Sequence, residues 1–118
     1  MHHTPKKPGG LRSMQTDPDE SALKQLRDVG SDLTRPHAID FYLYFSTQEN
    51  AKAAQNELVA LGFSALVRPG ALGNDWLCLA TRELVPTHEH FALVRAYLIA
   101  IADRLDGEYD GWEAKVIR

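Results

Sequence analysis

The sequence has 118 residues, of which 44% are hydrophobic and 25% are charged, which is typical of one soluble globular domain. The formal net charge is −3, so the chain lacks the basic character that phosphate binding requires. Cys78 is the single cysteine, which excludes an internal disulfide bond. No apolar run approaches the roughly 20 residues of a membrane span, and the polar N-terminus without a signal-peptide core predicts a cytoplasmic protein.

The first 18 residues contain three prolines and two glycines but almost nothing apolar. Residues 1–18 are therefore predicted to form a disordered arm, because they cannot bury enough surface to offset the entropy of ordering. Residues 19–118 are expected to form a single domain.

A short helix is predicted to open this domain, over residues 21–33. Its N-cap is expected to be Asp19 or Ser21, and Gly30 is a natural stop. Apolar residues recur within it near helical spacing, at Leu23, Leu26 and Val29.

The clearest strand signal is HAIDFYLYF, residues 37–45, in which apolar and polar residues alternate. One face would carry Ile39, Phe41, Leu43 and Phe45, and the other Asp40, Tyr42 and Tyr44. A helix follows, because Ser46 and Glu49 match the S-x-x-E capping box. Its apolar stripe is Ala51, Ala54, Leu58 and Leu61, and Gly62 stands at the C′ position.

Two more strands are predicted over residues 63–69 and 75–81, joined by turn residues 70–74. The longest helix is predicted to open at Pro86 and Thr87, to end at Gly107, and to bury a stripe of Phe91, Val94, Leu98, Ile101 and Leu105. Residues 109–117 are predicted to form the last strand. The order βαββαβ predicts a ferredoxin-like α+β fold, in which two helices cover one face of a four-stranded antiparallel sheet.

The second face of such a sheet is either open or covered by the N-terminal helix. If Leu77 and Leu79 face the two helices, Trp76 joins Tyr42 and Tyr44 in an exposed aromatic cluster, which marks a binding surface. RNA-recognition domains of this fold stack bases there, so a single-stranded RNA-binding module is one interpretation. Asp40 and the acidic net charge weigh against it.

Motifs for catalysis or metal binding are weak. DGEYDGWE, residues 106–113, imitates a calcium loop, but Ile117 stands where the bidentate Glu is required. THEH, residues 87–90, spaces its histidines at i, i+2 instead of the i, i+4 of metal-binding helices. Cys78 lies in an apolar run without a paired base, which is typical of a packed thiol. We therefore predict that the protein is not an enzyme and has no cofactor and no metal site.

The string EYDGW, residues 108–112, follows the long apolar-striped helix and resembles the signature of the RraB family, the regulators of ribonuclease E activity of type B. The resemblance extends from about Leu33 to Ala114 and includes DFYLYFST, the Leu61-Gly62-Phe63 turn and DWLCLAT. It implies a ferredoxin-like domain without catalytic activity. The resemblance also implies an inhibitor that binds ribonuclease E at its non-catalytic C-terminal region and so alters which RNAs are degraded.

The best-known members of that family carry a long acidic tail after this strand. Here the basic residues Lys115 and Arg118 follow instead, so a contact made by such a tail to an Arg-rich partner segment is not expected.

The YDGW string itself has two interpretations, a structural corner and a direct partner contact, and the first is favoured. Gly111 permits a close backbone approach or a bulge, and Asp110 is suited to bonding local backbone amides. Tyr109 and Trp112 each offer an apolar ring with a polar tip. The candidate partner-binding residues are Asp40, Tyr42, Tyr44, Trp76, Tyr109, Asp110 and Trp112. No membrane partner is expected, and the sequence leaves the oligomeric state open.

Overall fold

The structure, a computed structural model, describes residues 18–118. The described residues form three helices and four strands: α1 Pro18–Asp28, β1 His37–Phe45, α2 Gln48–Ala60, β2 Ser64–Pro69, β3 Trp76–Leu84, α3 His88–Arg104 and β4 Gly107–Ala114. The strands pair antiparallel in one sheet with the order β2-β3-β1-β4. This arrangement confirms the predicted ferredoxin-like α+β fold. Of the predicted disordered arm, only Pro18 lies within the described residues.

The core lies between the sheet and helices α2 and α3. The alternation in β1 buries the side chains of Ile39, Phe41, Leu43 and Phe45, as predicted. The ring centroid of Phe41 lies 5.9 Å from that of Phe63 and 6.2 Å from that of Phe91. These separations fall in the favourable range for aromatic pairs, so the three rings join β1 to α3 and to the start of β2.

Helix α2 is capped one residue later than predicted. Thr47 is the N-cap, and its Oγ1 accepts a hydrogen bond of 3.1 Å from the backbone N–H of Asn50. The S-x-x-E match at Ser46 was therefore misleading, because β1 runs through Phe45 and the chain turns only after one further residue. Gly62 has φ +98° and ends the helix as predicted, whereas Leu61 is 43% exposed and lies outside the buried stripe.

Helix α1 begins at Pro18, where the missing N–H of proline has no cost because first-turn donors lack intrahelical partners. Asp19 and Ser21 thus lie inside the helix, and the prediction that either is its cap is wrong. Val29 is 55% exposed and Gly30 follows it with φ +99°. Helix α1 lies against α3, and its Leu23 packs on the core. It is therefore on the helix side of the sheet, and the alternative that it covers the opposite face is wrong.

The junction between α3 and β4 is tighter than predicted. Helix α3 ends at Arg104, and Asp106 makes the turn with φ +59°. Gly107 already belongs to β4, where it pairs with Phe45 of β1. A Cβ at this position would overlap the ring of Phe45 and the carbonyl oxygen of Tyr44. The glycine thus allows close strand approach, and it does not terminate the helix.

Candidate partner-binding surface

The face of the sheet opposite the helices, called the open face below, carries three transverse rows of side chains. Directly opposed residues of paired strands point to the same side, so the register assigns each residue to a face. From β2 to β4 the rows are Ser64–Thr81–Asp40–Glu113, Leu66–Leu79–Tyr42 and Arg68–Leu77–Tyr44–Glu108. We call them the polar, apolar and mixed rows. No helix of the described residues packs over them.

The apolar row reaches the solvent at its β2 end. Leu66 is 52% exposed, whereas Leu79 and Tyr42 are half-buried. Leu77 of the neighbouring mixed row is buried. The centre of the open face is therefore apolar, and its exposed part begins at the edge strand β2.

Hydroxyl groups hold the carboxylates of the polar row. Thr81 donates a hydrogen bond of 2.8 Å to Asp40 Oδ1, and the Tyr42 hydroxyl donates one of 2.8 Å to Glu113 Oε1. Partial burial, together with this bond to a carboxylate, raises the pKa of Tyr42 to about 12. The phenol thus stays protonated and positions Glu113 across the strand pair.

Asp40 and Glu113 are directly opposed in the β1–β4 pair. Like charges in this position destabilise a sheet. Beside them lies a depression of about 360 Å³ lined by Ala38, Asp40, Glu113, Ala114, Lys115 and Ile117. The open face therefore combines an apolar centre with two adjacent carboxylates at the lip of a hollow.

Trp76 does not belong to this surface, and the prediction that it joins Tyr42 and Tyr44 is wrong. It pairs with Phe45 and packs against the core on the helix side. Leu77 and Leu79 instead share the open face with the tyrosines. The alternating residues of β3 are apolar on both sides, so periodicity alone could not orient this strand, and only its register with β1 does so.

Sequence reasoning also missed Leu66, Glu108 and Glu113 as members of the open face. Each stands directly opposite, or in the same row as, a residue that it did identify. The face of each of these residues could have been inferred from the residue of β1 in the same row, but this requires the register between strands, which the sequence does not give. In β4 a register shift interrupts the alternation.

The YDGW string forms that irregular part of β4. The pairing with β1 shifts between Phe41 and Leu43, and Gly111 has φ +106°. Of the two predictions for Gly111, a close backbone approach or a bulge, the register shift agrees with the bulge, which lies in the middle of the strand. A non-glycine residue at this φ would be strained, which is the physical reason for the glycine. Asp110 is half-buried at the bulge, and its proposed bonding to local amides stays a prediction.

Tyr109 and Trp112 both face the helices. The Trp112 ring stacks on Phe91 with centroids 4.3 Å apart and planes 13° apart. Its Nε1 donates a hydrogen bond of 3.1 Å to Oδ1 of Asp19. Asp19 is 5% exposed, and its Oδ2 lies 3.9 Å from Nη1 of Arg95. Burial and the nearby Asp19 charge raise the pKa of Tyr109. These contacts place both rings where β4, α1 and α3 meet.

The remaining chemical candidates are Cys78 and the two histidines of the THEH segment. Burial raises the pKa of the Cys78 thiol to about 11, so this thiol is protonated and shielded. His88 and His90 are exposed at the start of α3, and a ring nitrogen of His90 bonds the Val85 carbonyl. In residues 18–118 no three His, Cys, Asp or Glu side chains converge as a metal site would need. None of the helices described is both long and apolar enough to cross a membrane.

Comparison with known proteins assigns the chain to a family. The protein-family description that matches is "Regulator of ribonuclease activity B", and the match spans residues 16–114. A search of curated proteins returned no match. The matched span includes every helix and strand that the structure describes, and residues 115–118 lie outside it. The chain therefore belongs to the RraB family of regulators of ribonuclease activity.

Proposed function

We propose that this protein is a non-catalytic regulator that binds ribonuclease E at its C-terminal region and thereby alters RNA degradation in the cytoplasm. The observation that carries the proposal is the family match over residues 16–114. The family's regulatory role requires binding to a ribonuclease and does not require a reactive group on the regulator.

The chemistry of the chain is compatible with this role. Its single thiol is buried and protonated, and two carboxylates of the open face accept hydrogen bonds from hydroxyl groups. General acid–base catalysis favours a group whose pKa lies near the working pH, and neither Cys78 nor Tyr42 has one. Binding is therefore the activity that the open face supports best.

The surface also has the composition of a protein interface. Interface centres are enriched in tyrosine and apolar residues, and polar groups surround them. Tyr42, Leu66 and Leu79 form such a centre, and Asp40 and Glu113 stand beside it. A standard interface buries about 800 Å² per partner, which requires this whole face rather than a single pocket.

Single-stranded RNA is a weaker candidate. Base stacking would rely on Tyr42 and Tyr44 alone, because Trp76 faces the helices. Asp40, Glu108 and Glu113 share the face with these tyrosines and would repel phosphate groups. A basic groove, which supports backbone binding in single-strand binders, is not formed by these rows.

A binding titration tests the proposal. The purified C-terminal half of ribonuclease E is titrated with this protein by calorimetry, and an RNA oligonucleotide is titrated in parallel. We expect saturable binding to the protein with none to the RNA, together with slower cleavage by the whole ribonuclease. No binding to the ribonuclease, or binding to RNA alone, would refute the proposal.

A further inference from the structure

We propose that the open face is the docking surface, and that its occupant is a basic segment of the partner in which an arginine or lysine is flanked by apolar side chains. The cationic group would lie between Asp40 and Glu113, and the apolar side chains would lie on the apolar row. This inference rests on the proposed function for the partner's identity, but it rests on the open face alone for the partner's chemistry.

The first argument is the placement of Asp40 opposite Glu113. A pair of like charges at directly opposed positions destabilises a sheet, whereas opposite charges stabilise it. Thr81 and Tyr42 each donate one hydrogen bond to this pair, but a carboxylate has about four acceptor sites. A guanidinium or ammonium group placed between the two carboxylates would use the remaining acceptors and reverse the sign of the local interaction.

The second argument is the charge balance of the whole open face. Four carboxylates face this side, from Asp40, Glu83, Glu108 and Glu113, against the two cations Arg68 and Lys115. The acidic groups concentrate on β1, β4 and the end of β3, whereas Arg68 lies at the far end of edge strand β2. A partner cation would therefore be attracted to the end of the sheet that carries the polar row.

The third argument is the shape of that end. The depression of about 360 Å³ is lined by Asp40 and Glu113 together with the apolar residues Ala38, Ala114 and Ile117. A long basic side chain packs its methylene groups on apolar surface and keeps its charged end beside polar groups. The depression offers apolar residues for the methylene groups and two carboxylates for the charged end, so a single arginine or lysine could contact both.

The apolar row then supplies the neighbouring contacts. Tyr42 belongs to both features, because its ring lies in the apolar row and its hydroxyl bonds Glu113. Leu66 continues the row to the exposed edge at 52% exposure. A partner segment that carries a cation and apolar side chains in sequence matches this order from β4 to β2.

Removal of the Lys115 charge should change the binding affinity in the opposite direction to removal of the Glu113 charge. Lys115 lines the same depression as Asp40 and Glu113, so its charge would compete with a partner's cation. The variant Glu113→Gln should weaken binding of the C-terminal half of ribonuclease E about tenfold, by loss of a charged hydrogen bond. Lys115→Gln should tighten it about two- to fivefold, the range for exposed charges.

Matched variants control for charge and for apolar area. Glu89→Gln removes the same charge from the exposed start of α3. Leu66→Ser and Leu93→Ser alter leucines of similar exposure, 52% on the open face and 58% on α3. We expect Leu66→Ser to weaken binding about fivefold or more and both α3 variants to leave it unchanged. Thermal unfolding of each variant shows that it is folded.

A second measurement separates this inference from the proposed function. Isotope-labelled protein is titrated by NMR with a synthetic peptide of alternating arginine and leucine, with a glutamate–leucine peptide, and with an RNA oligonucleotide. We expect shifts only with the basic peptide, centred on Asp40, Tyr42, Leu66 and Glu113.

The outcomes are then distinct. If the ribonuclease binds and the open-face variants bind as well as the wild type, the inference is wrong and the proposed function stands. If the ribonuclease does not bind, the proposed function fails and the peptide titration decides the inference. Peptide shifts that are absent or lie on α3, or equal shifts with RNA or the acidic peptide, would overturn it.

Discussion

Replacement of Trp112 tests whether YDGW is a structural corner. Trp112 connects three elements, because its ring stacks on Phe91 of α3 and its Nε1 bonds Asp19 of α1. Trp112→Ala removes both contacts. Trp112→Phe keeps an aromatic ring on Phe91 and removes only the hydrogen bond. The two variants therefore separate the contribution of ring packing on Phe91 from that of the hydrogen bond to Asp19.

The structure sets the size of each effect. Truncating a buried tryptophan costs about 3–5 kcal/mol, and Trp112 is half-buried, so we expect about 3 kcal/mol for Trp112→Ala. A hydrogen bond to a charged group contributes about 1.5–3 kcal/mol. Asp19 also lies near Arg95, which lessens the loss, so we expect about 1.5 kcal/mol for Trp112→Phe.

Urea unfolding followed by far-UV circular dichroism measures both values at neutral pH. In a thermal scan, Trp112→Ala should lower Tm by about 12 °C, at about 4 °C per kcal/mol for a chain of this size. A double-mutant cycle of Trp112→Phe with Asp19→Ala should give a coupling of about 1 kcal/mol. The same cycle with Trp76→Phe in place of Trp112→Phe should give no coupling energy, because it is the Trp112 ring that bonds Asp19, whereas Trp76 lies at the start of β3.

One result would refute this reasoning. If Trp112→Ala unfolds at the wild-type urea concentration but no longer binds the ribonuclease, the ring is a partner contact and the structural corner is wrong. A coupling of zero between Trp112 and Asp19 would show that their hydrogen bond does not hold α1 in place.

Three further predictions concern stability. Gly107→Ala should cost about 1–3 kcal/mol in urea unfolding, because its Cβ overlaps neighbouring atoms; Gly62→Ala, strained only by φ +98°, should cost about 1–2 kcal/mol. Thr47→Ala should cost about 1 kcal/mol and Ser46→Ala much less; equal losses would contradict the assignment of the cap. The stability that comes from shielding the protonated Cys78 thiol is fully present below its ordinary pKa of 9.0 and is lost as pH rises through about 11. Cys78→Ala should flatten the unfolding free energy over that range, and an unchanged slope would contradict it.

The sequence by itself determined the order of elements and the orientation of β1. A strict alternation of apolar and polar residues has one solution when one face is buried, so Phe41 was placed in the core and Tyr42 on the other face correctly. Local patterns in the sequence also predicted the buried residues Phe91, Val94, Leu98 and Ile101 of α3 and the glycine that ends α2 at position 62. The YDGW string also identified the family, and the match over residues 16–114 confirms it.

Local patterns failed where two answers were locally equivalent. Ser46 and Thr47 are both good caps, and only the end of β1 selects the second. Helix α1 has an apolar stripe that fits either side of the sheet, and the bond from Trp112 to Asp19 places it beside α3.

The open face was decided by tertiary structure. Strand β3 is apolar on both sides, so its orientation depends on pairing with β1, which turns Trp76 inward and Leu79 outward. The opposition of Asp40 and Glu113 joins residues far apart in the chain and depends on the bulge at Gly111. Periodicity specifies which residues of one strand share a face, but register between strands specifies which residues meet, and a binding surface consists of residues that meet.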